Sequence, residues 1–203
     1  MSDFLTLGIS EKRPTVPDEF VVVAMDMRTK DITRFDVDKS DIVSSNGEIF
    51  WDIGFTTNVS EIIYPNRYNI VPKGARLGEN RIKDLKKILE SKSSNPSAFF
   101  NSKHLDYSIV KVMNVEEIIK NNENSKFYIT VNIEGLRENP QIILNKDYRW
   151  VKYWKYICKT GDFNYKKKQY TNVLNNKSKS LYLILYRYDK NNRPHWIVGM
   201  HLL

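Results

Sequence analysis

Short runs of β-branched and aromatic residues, set apart by turn-forming residues, recur in two separate stretches of this 203-residue chain. In the first stretch, Phe20 to Met27 reads as a strand with a buried centre. Ile32 to Val37 follows a polar turn at Arg28 to Asp31, so the two runs predict a hairpin. Ile49 to Phe55, Val59 to Ile63 and Tyr68 to Val71 add shorter strands, separated by Asn46-Gly47, Thr56 to Asn58 and Pro65-Asn66. Short strands at such close spacing predict a barrel or a sandwich. The period then changes. Ile82, Leu85, Ile88 and Leu89 stand at helical spacing, which predicts a helix over 80–89, and 96–105 reads as a second, short helix. Strands return at 107–113, 126–134 and 141–144, with a helical turn expected at 115–120 and a closing hairpin at 181–188 and 195–202. The fold class expected is mainly β (α+β): two small β-barrel modules, residues 1–78 and 105–203, joined by a helical connector over 79–104.

A chain of this length suits two small modules, and 41% hydrophobic residues supply a core for each. No apolar run reaches the roughly 18 residues that a membrane helix needs, and the first residues lack the pattern of a signal peptide. A cytoplasmic protein with no membrane partner is the expectation. Cys158 is the single cysteine, so it has no internal disulfide partner, and with three histidines it makes no Cys-rich zinc site. It reads as a small buried side chain.

Charge is unevenly distributed. Residues 145–203 carry thirteen Lys or Arg against three Asp, a net of +10 in a chain whose total is +8, which leaves the first 144 residues at −2. The same third holds twelve of the 25 aromatic residues. Solubility asks for charge spread over the surface, whereas a polyanion is steered by one local field. Cations mixed with flat rings suit a nucleic-acid strand, with phosphates meeting the charges and bases stacking on the rings.

Two segments concentrate that chemistry. In Arg149 to Lys159, the residues Trp150, Tyr153, Trp154 and Ile157 fall at i, i+3, i+4 and i+7, which predicts a helix. Arg149, Lys152, Lys155 or Tyr156, and Lys159 would then lie along the opposite edge, and the aromatic stripe reads either as core or, on a strand, as a stacking platform. The second segment, Tyr165-Lys166-Lys167-Lys168-Gln169-Tyr170, reads as a basic loop flanked by rings within a polar stretch over 161–179. In the first module Lys12, Arg13 and Arg34 stand near expected strand ends. They either extend the basic track or are exposed charges beside Glu11, Asp18 and Asp36.

Several further stretches carry a family resemblance: Leu7 to Arg13; Val21 to Phe35, with its Ala-x-Asp, Thr-containing turn and apolar-x-Arg; Tyr64 to Ile70; Asp106 to Glu117; and Leu181 to Leu202, with its Trp-x-Val-x-Gly. In that order they resemble the dual OB-containing domain family, bacterial proteins with two small oligonucleotide-binding-type barrels. The chain departs from the family's glycine-rich stretch after the first strand, where Pro14 to Glu19 stand instead. The resemblance implies two OB-like barrels, a nucleic-acid or nucleotide partner, and a setting in bacterial conflict systems.

Catalytic signatures are sparse. His195 and His201 lie six residues apart on one predicted strand, too far to share a metal, and His104 stands beside Asp106 with no nearby nucleophile. Gly74 and Gly78 lack the Lys-Ser/Thr of a phosphate-binding loop. Asp36, Asp38 and Asp41 form an acidic group that reads as an exposed turn or, less simply, as a divalent-ion site. The function expected is non-catalytic binding of single-stranded or structured DNA or RNA, with no cofactor. The alternatives are a module docking an acidic protein partner and a metal-dependent enzyme acting on nucleic acid or nucleotides.

Overall fold

Residues 4–10 are buried without interruption in the computed structural model of the chain. A strand buried on both faces belongs in the middle of a sheet, and this one sets the first unit. The structure describes residues 2–13, 16–66, 69–93, 95–101, 105–123, 125–187 and 195–203, without the side chains of residues 13, 16, 17, 66, 69, 79 and 80. The chain divides into two units, residues 1–85 and 86–203.

The first unit contains β1 (Ser2–Arg13), β2 (Val16–Asp26), β3 (Ile32–Asp38), the short α1 (Lys39–Ile42), β4 (Phe55–Val59), β5 (Glu61–Asn66), β6 (Asn69–Lys73) and β7 (Arg76–Arg81). The strands form one sheet in the order β5-β6-β3-β2-β1-β4-β7. Only Ser60 separates β4, which pairs with β1, from β5 at the far edge. Residues 59 and 61 cannot be more than about 7 Å apart, so the sheet curls into a half-barrel. Phe35 fills its interior, edge-on to Phe4 at 4.9 Å and 5.3 Å from Trp51. Burial of a Phe contributes roughly 1.5–3 kcal/mol.

The run Ile49 to Phe55 is not the strand expected of it. It holds one isolated bridge, Val43 to Ile49, and the ladder begins only at Phe55. Trp51 and Ile53 enter the core as plugs from an irregular segment, so apolar burial here does not depend on strand pairing. Gly78 has a structural reason of its own: a Cβ there would lie 2.4 Å from the carbonyl oxygen of Thr56.

The second unit is built from α2 (Leu85–Lys92), α3 (Pro96–Asn101), β8 (Tyr107–Lys120), β9 (Phe127–Ile133), β10 (Gln141–Asn145), α4 (Tyr148–Thr160), α5 (Phe163–Leu174), β11 (Leu181–Arg187) and β12 (His195–Leu202). Its strands close a barrel in the order β10-β12-β11-β8-β9. The long β8 pairs with both β9 and β11, and β10 runs parallel to β12. That is the Greek-key connectivity of an OB barrel, with the α4–α5 hairpin between its third and fourth strands. The core runs from Val110 and Ile129 to Leu183 and Ile197, and it takes in Phe99 from α3 and Trp150, Trp154 and Ile157 from α4.

Three local expectations are corrected here. The helical turn at 115–120 is the continuation of β8, which carries register shifts between Val112 and Asn114 and between Val115 and Glu117. Each bulge adds a residue, so Val112, Val115 and Ile118 all point inward at a spacing of three that mimics a helix. The helix expected over 80–89 begins at Leu85, because residues 76–81 pair with β4. The polar stretch read as a loop contains α5. Its inward stripe is Phe163, Lys167, Tyr170 and Leu174, at i, i+4, i+7 and i+11, and a lysine in that stripe hides the period. Among the described residues no helix is long and apolar enough to cross a membrane.

Candidate nucleic-acid interface

The helix expected over Arg149 to Lys159 is present as α4, and its start is fixed by Asp147. One carboxylate oxygen, Oδ1, accepts the amides of Arg149 (3.1 Å) and Trp150 (3.3 Å), which caps the helix. The other, Oδ2, accepts the amide of Met200 on β12 at 3.0 Å. Burial raises the Asp147 pKa above the ordinary carboxylate value, against the lowering effects of Arg149 and the three amides. Gly161 ends α4 in the left-handed conformation at φ 79°, which lets the chain turn directly into α5.

The inward face of α4 carries Trp150, Trp154 and Ile157, with the two indoles edge-on at 5.5 Å. This corrects the expectation that Trp150 offers a face to a base, because the residue is only 5% exposed. The opposite face presents Arg149, Lys152, Tyr156 and Lys159, with Lys155 beside them, all exposed. At 1.5 Å per residue, Arg149 and Lys159 are separated by about 15 Å along the axis. Lys152, Lys155 and Lys159 have no carboxylate partner among the described residues. Tyr156 lies within this row and is 64% exposed, a ring that the sequence placed on this face without giving it a binding role. Its signal was its place on the wheel, between Lys152 and Lys159.

On α5 the three adjacent lysines point in different directions, since successive residues turn about 100° around a helix. Lys167 turns inward, its ammonium 2.8 Å from Glu117 of β8 and 5.9 Å from the Phe163 ring centre. Lys166 stands over the Tyr165 ring at 5.6 Å, and Lys168 is exposed. Tyr165 is 63% exposed, and its hydroxyl accepts a hydrogen bond from Gln169 at 2.9 Å. Tyr170 is half-buried against Trp150, Tyr153 and Trp154, with centroid distances of 5.5–6.3 Å. Burial, followed by the neighbouring Tyr153 and Asp147, raises its pKa.

The cations of the first unit are differently placed. Lys12 lies 3.3 Å from Glu19 and 3.4 Å from Asp36, and Arg34 donates to Asp36 through Nε (2.9 Å) and Nη2 (2.7 Å). Both cations are largely neutralised within their own sheet. The side chain of Arg13 lies outside the described residues, as does His104. The acidic group is dispersed as well: Asp36 serves those ion pairs, while Asp41 accepts the Asp38 amide at 3.0 Å at the start of α1. Among the described residues no cluster of His, Cys, Asp or Glu could hold a metal.

OB barrels commonly take oligonucleotides on their second and third strands. On the corresponding face of β9 and β10, Tyr128 pairs with Leu144 and Ile142 with Thr130, and of these Thr130 is buried. This face has one ring and apolar surface but no cation, whereas α4 has the cations. The α4 edge, with Tyr156 among its cations, therefore brings together the two kinds of contact that a nucleic acid needs, and the β9–β10 face does not.

No family model matches the chain, and no curated protein matches it. Among solved structures, similar chains are HIN domains. One is the Ifi202 HINa domain in complex with 20 bp dsDNA, 12% identical at a TM-score of 0.39, with 99% of this chain and 93% of that chain covered. The p204 HINb domain is 10% identical at 0.34, covering 99% and 95%. A murine DNA binding protein bound with ds DNA is 9% identical at 0.35, covering 98% and 92%.

Proposed function

We propose that this protein binds nucleic acid through its second barrel, with the exposed edge of α4 along the phosphate backbone. The observation that carries this reading is the row Arg149, Lys152, Tyr156 and Lys159 on a helix whose other face is locked into the core by Trp150 and Trp154. A row of cations on a rigid element meets successive phosphates without reordering, and the exposed Tyr156 and Tyr165 rings stack on bases. Lys155, Lys166 and Lys168 widen the positive field, while Lys167 joins it only by releasing Glu117. Lys12 and Arg34, each held to Asp36, take no part.

Exposed rings among the cations favour a single-stranded or structured ligand over a regular duplex, whose bases are not free to stack. The resemblance to the dual OB-containing family supports a setting in bacterial conflict systems, and a cytoplasmic location belongs to the same reading. Titration of labelled single-stranded and duplex oligonucleotides at two salt concentrations tests the reading. Three to four neutralised phosphates predict a log–log slope of about −2 to −3 on single strands. Absence of binding at low salt overturns it. Salt-dependent binding to an acidic protein, with oligonucleotides failing to compete, would assign the same edge to a protein partner instead.

A further inference from the structure

A cleft of about 420 Å³ opens where the α4–α5 hairpin meets the end of the barrel, at the Arg149 end of the cationic edge. Its size falls within the roughly 300–1,000 Å³ of small-molecule sites. Tyr153, Tyr170, Val173 and Met200 line it with rings and apolar surface, and Asp147 and Arg149 supply its charged groups. The groups converge: Arg149 acts electrostatically on both Asp147 and Tyr170, and Asp147 and Tyr153 both act on Tyr170. Tyr153 and Tyr170 have their ring centres 5.5 Å apart with planes tilted by 34°.

Asp147 and Tyr170 have capacity left for a ligand. Asp147 Oδ2 accepts one amide, that of Met200, so one further donor can be received there. Tyr170 keeps its hydroxyl proton and can both donate and accept. Arg149 is exposed on α4, on the same helical edge as Lys152. The geometry points to a nucleobase site: one unstacked base lies against Tyr153 and Tyr170, its amino or imino edge donates to Asp147, and its phosphate meets Arg149 and Lys152. A strand lying along the α4 edge would deliver such a base by turning it out of the track at Arg149. The inference rests on the nucleic-acid reading for the source of that base. The chemistry of the cleft fits equally the base of a free nucleoside monophosphate.

The test uses the full chain and two variants whose changed side chains line the cleft yet are themselves partly exposed, Val173→Trp and Tyr153→Ala. Each is titrated with an intact single strand, with a strand of the same length made of abasic sites, and with nucleoside monophosphates. Circular dichroism confirms that both variants fold. A base held in the cleft predicts that both variants lose about tenfold or more in affinity for the intact strand, with the salt slope unchanged and no difference on the abasic strand. If strand affinity is unchanged but a monophosphate binds to wild type and is lost in both variants, the cleft takes a free nucleotide. Unchanged affinity in every arm overturns the site while leaving the α4 track intact. Failure of wild type to bind any strand removes the track, and the monophosphate arm still decides the cleft.

Discussion

The carboxylate of Asp147 accepts the Met200 amide at 3.0 Å while its other oxygen caps α4, so one side chain fastens the cationic helix to the last strand of the barrel. Replacing it with alanine removes the cap and leaves a backbone donor of β12 without its partner. Asp147→Ala is expected to lower stability by about 2–4 kcal/mol, read from urea unfolding. A loss under about 0.5 kcal/mol would show that the two contacts are not what holds the helix start.

The same carboxylate makes stability depend on pH. Burial raises its pKa in the folded protein above the ordinary 3.8, so the folded state holds the proton more tightly than the unfolded chain. The stabilisation from this linkage is complete below 3.8 and is lost as pH rises through the raised pKa. Asp147→Asn cannot titrate. The stability of wild type relative to that variant should therefore fall as pH rises from about 3 to about 7, and parallel curves would contradict the assignment.

Trp154 is fully buried, and its ring meets Trp150, Tyr153, Phe163 and Tyr170. It holds both helices of the hairpin to the barrel. Trp154→Ala should cost about 3–5 kcal/mol. Trp150→Phe, at a site that packs in the core of the second unit, should lower the urea midpoint while leaving the salt slope of oligonucleotide binding as it was.

Tyr182 is buried on the outer side of β11, and its hydroxyl donates to Glu90 Oε1 of α2 at 3.0 Å. Burial and the Glu90 carboxylate push its pKa up to about 12. A phenolate absorbance titration should show one tyrosine ionising near 12, and Tyr182→Phe should remove that step and cost about 1 kcal/mol of stability.

How much of this was legible in the sequence depended on whether neighbours in sequence were also neighbours in space. The α4 helix could be read because Trp150, Tyr153, Trp154 and Ile157 keep one period and one face. The α5 helix could not, because Lys167 sits in the buried stripe with its charge met by Glu117, fifty residues away in the chain. The bulges of β8 turned a period of two into a period of three, so Val115 and Ile118 read as helical. Lys12 and Arg34 looked like a possible extension of the basic track. Asp36, which answers both, is brought beside Lys12 only by the pairing of β1, β2 and β3. The cleft at Asp147 was illegible for the same reason, since Met200 and Tyr170 reach it from separate elements.

We propose that the exposed edge of α4 meets phosphates. The most direct measurement is the salt dependence of single-strand affinity for wild type and for Lys152→Gln/Lys159→Gln, which removes two cations from the exposed helical edge and leaves the core untouched. Each phosphate contact contributes about −0.7 to the log–log slope, so the slope should be shallower by about 1.4 and binding weaker at low salt. A variant with the wild-type slope and affinity would contradict it.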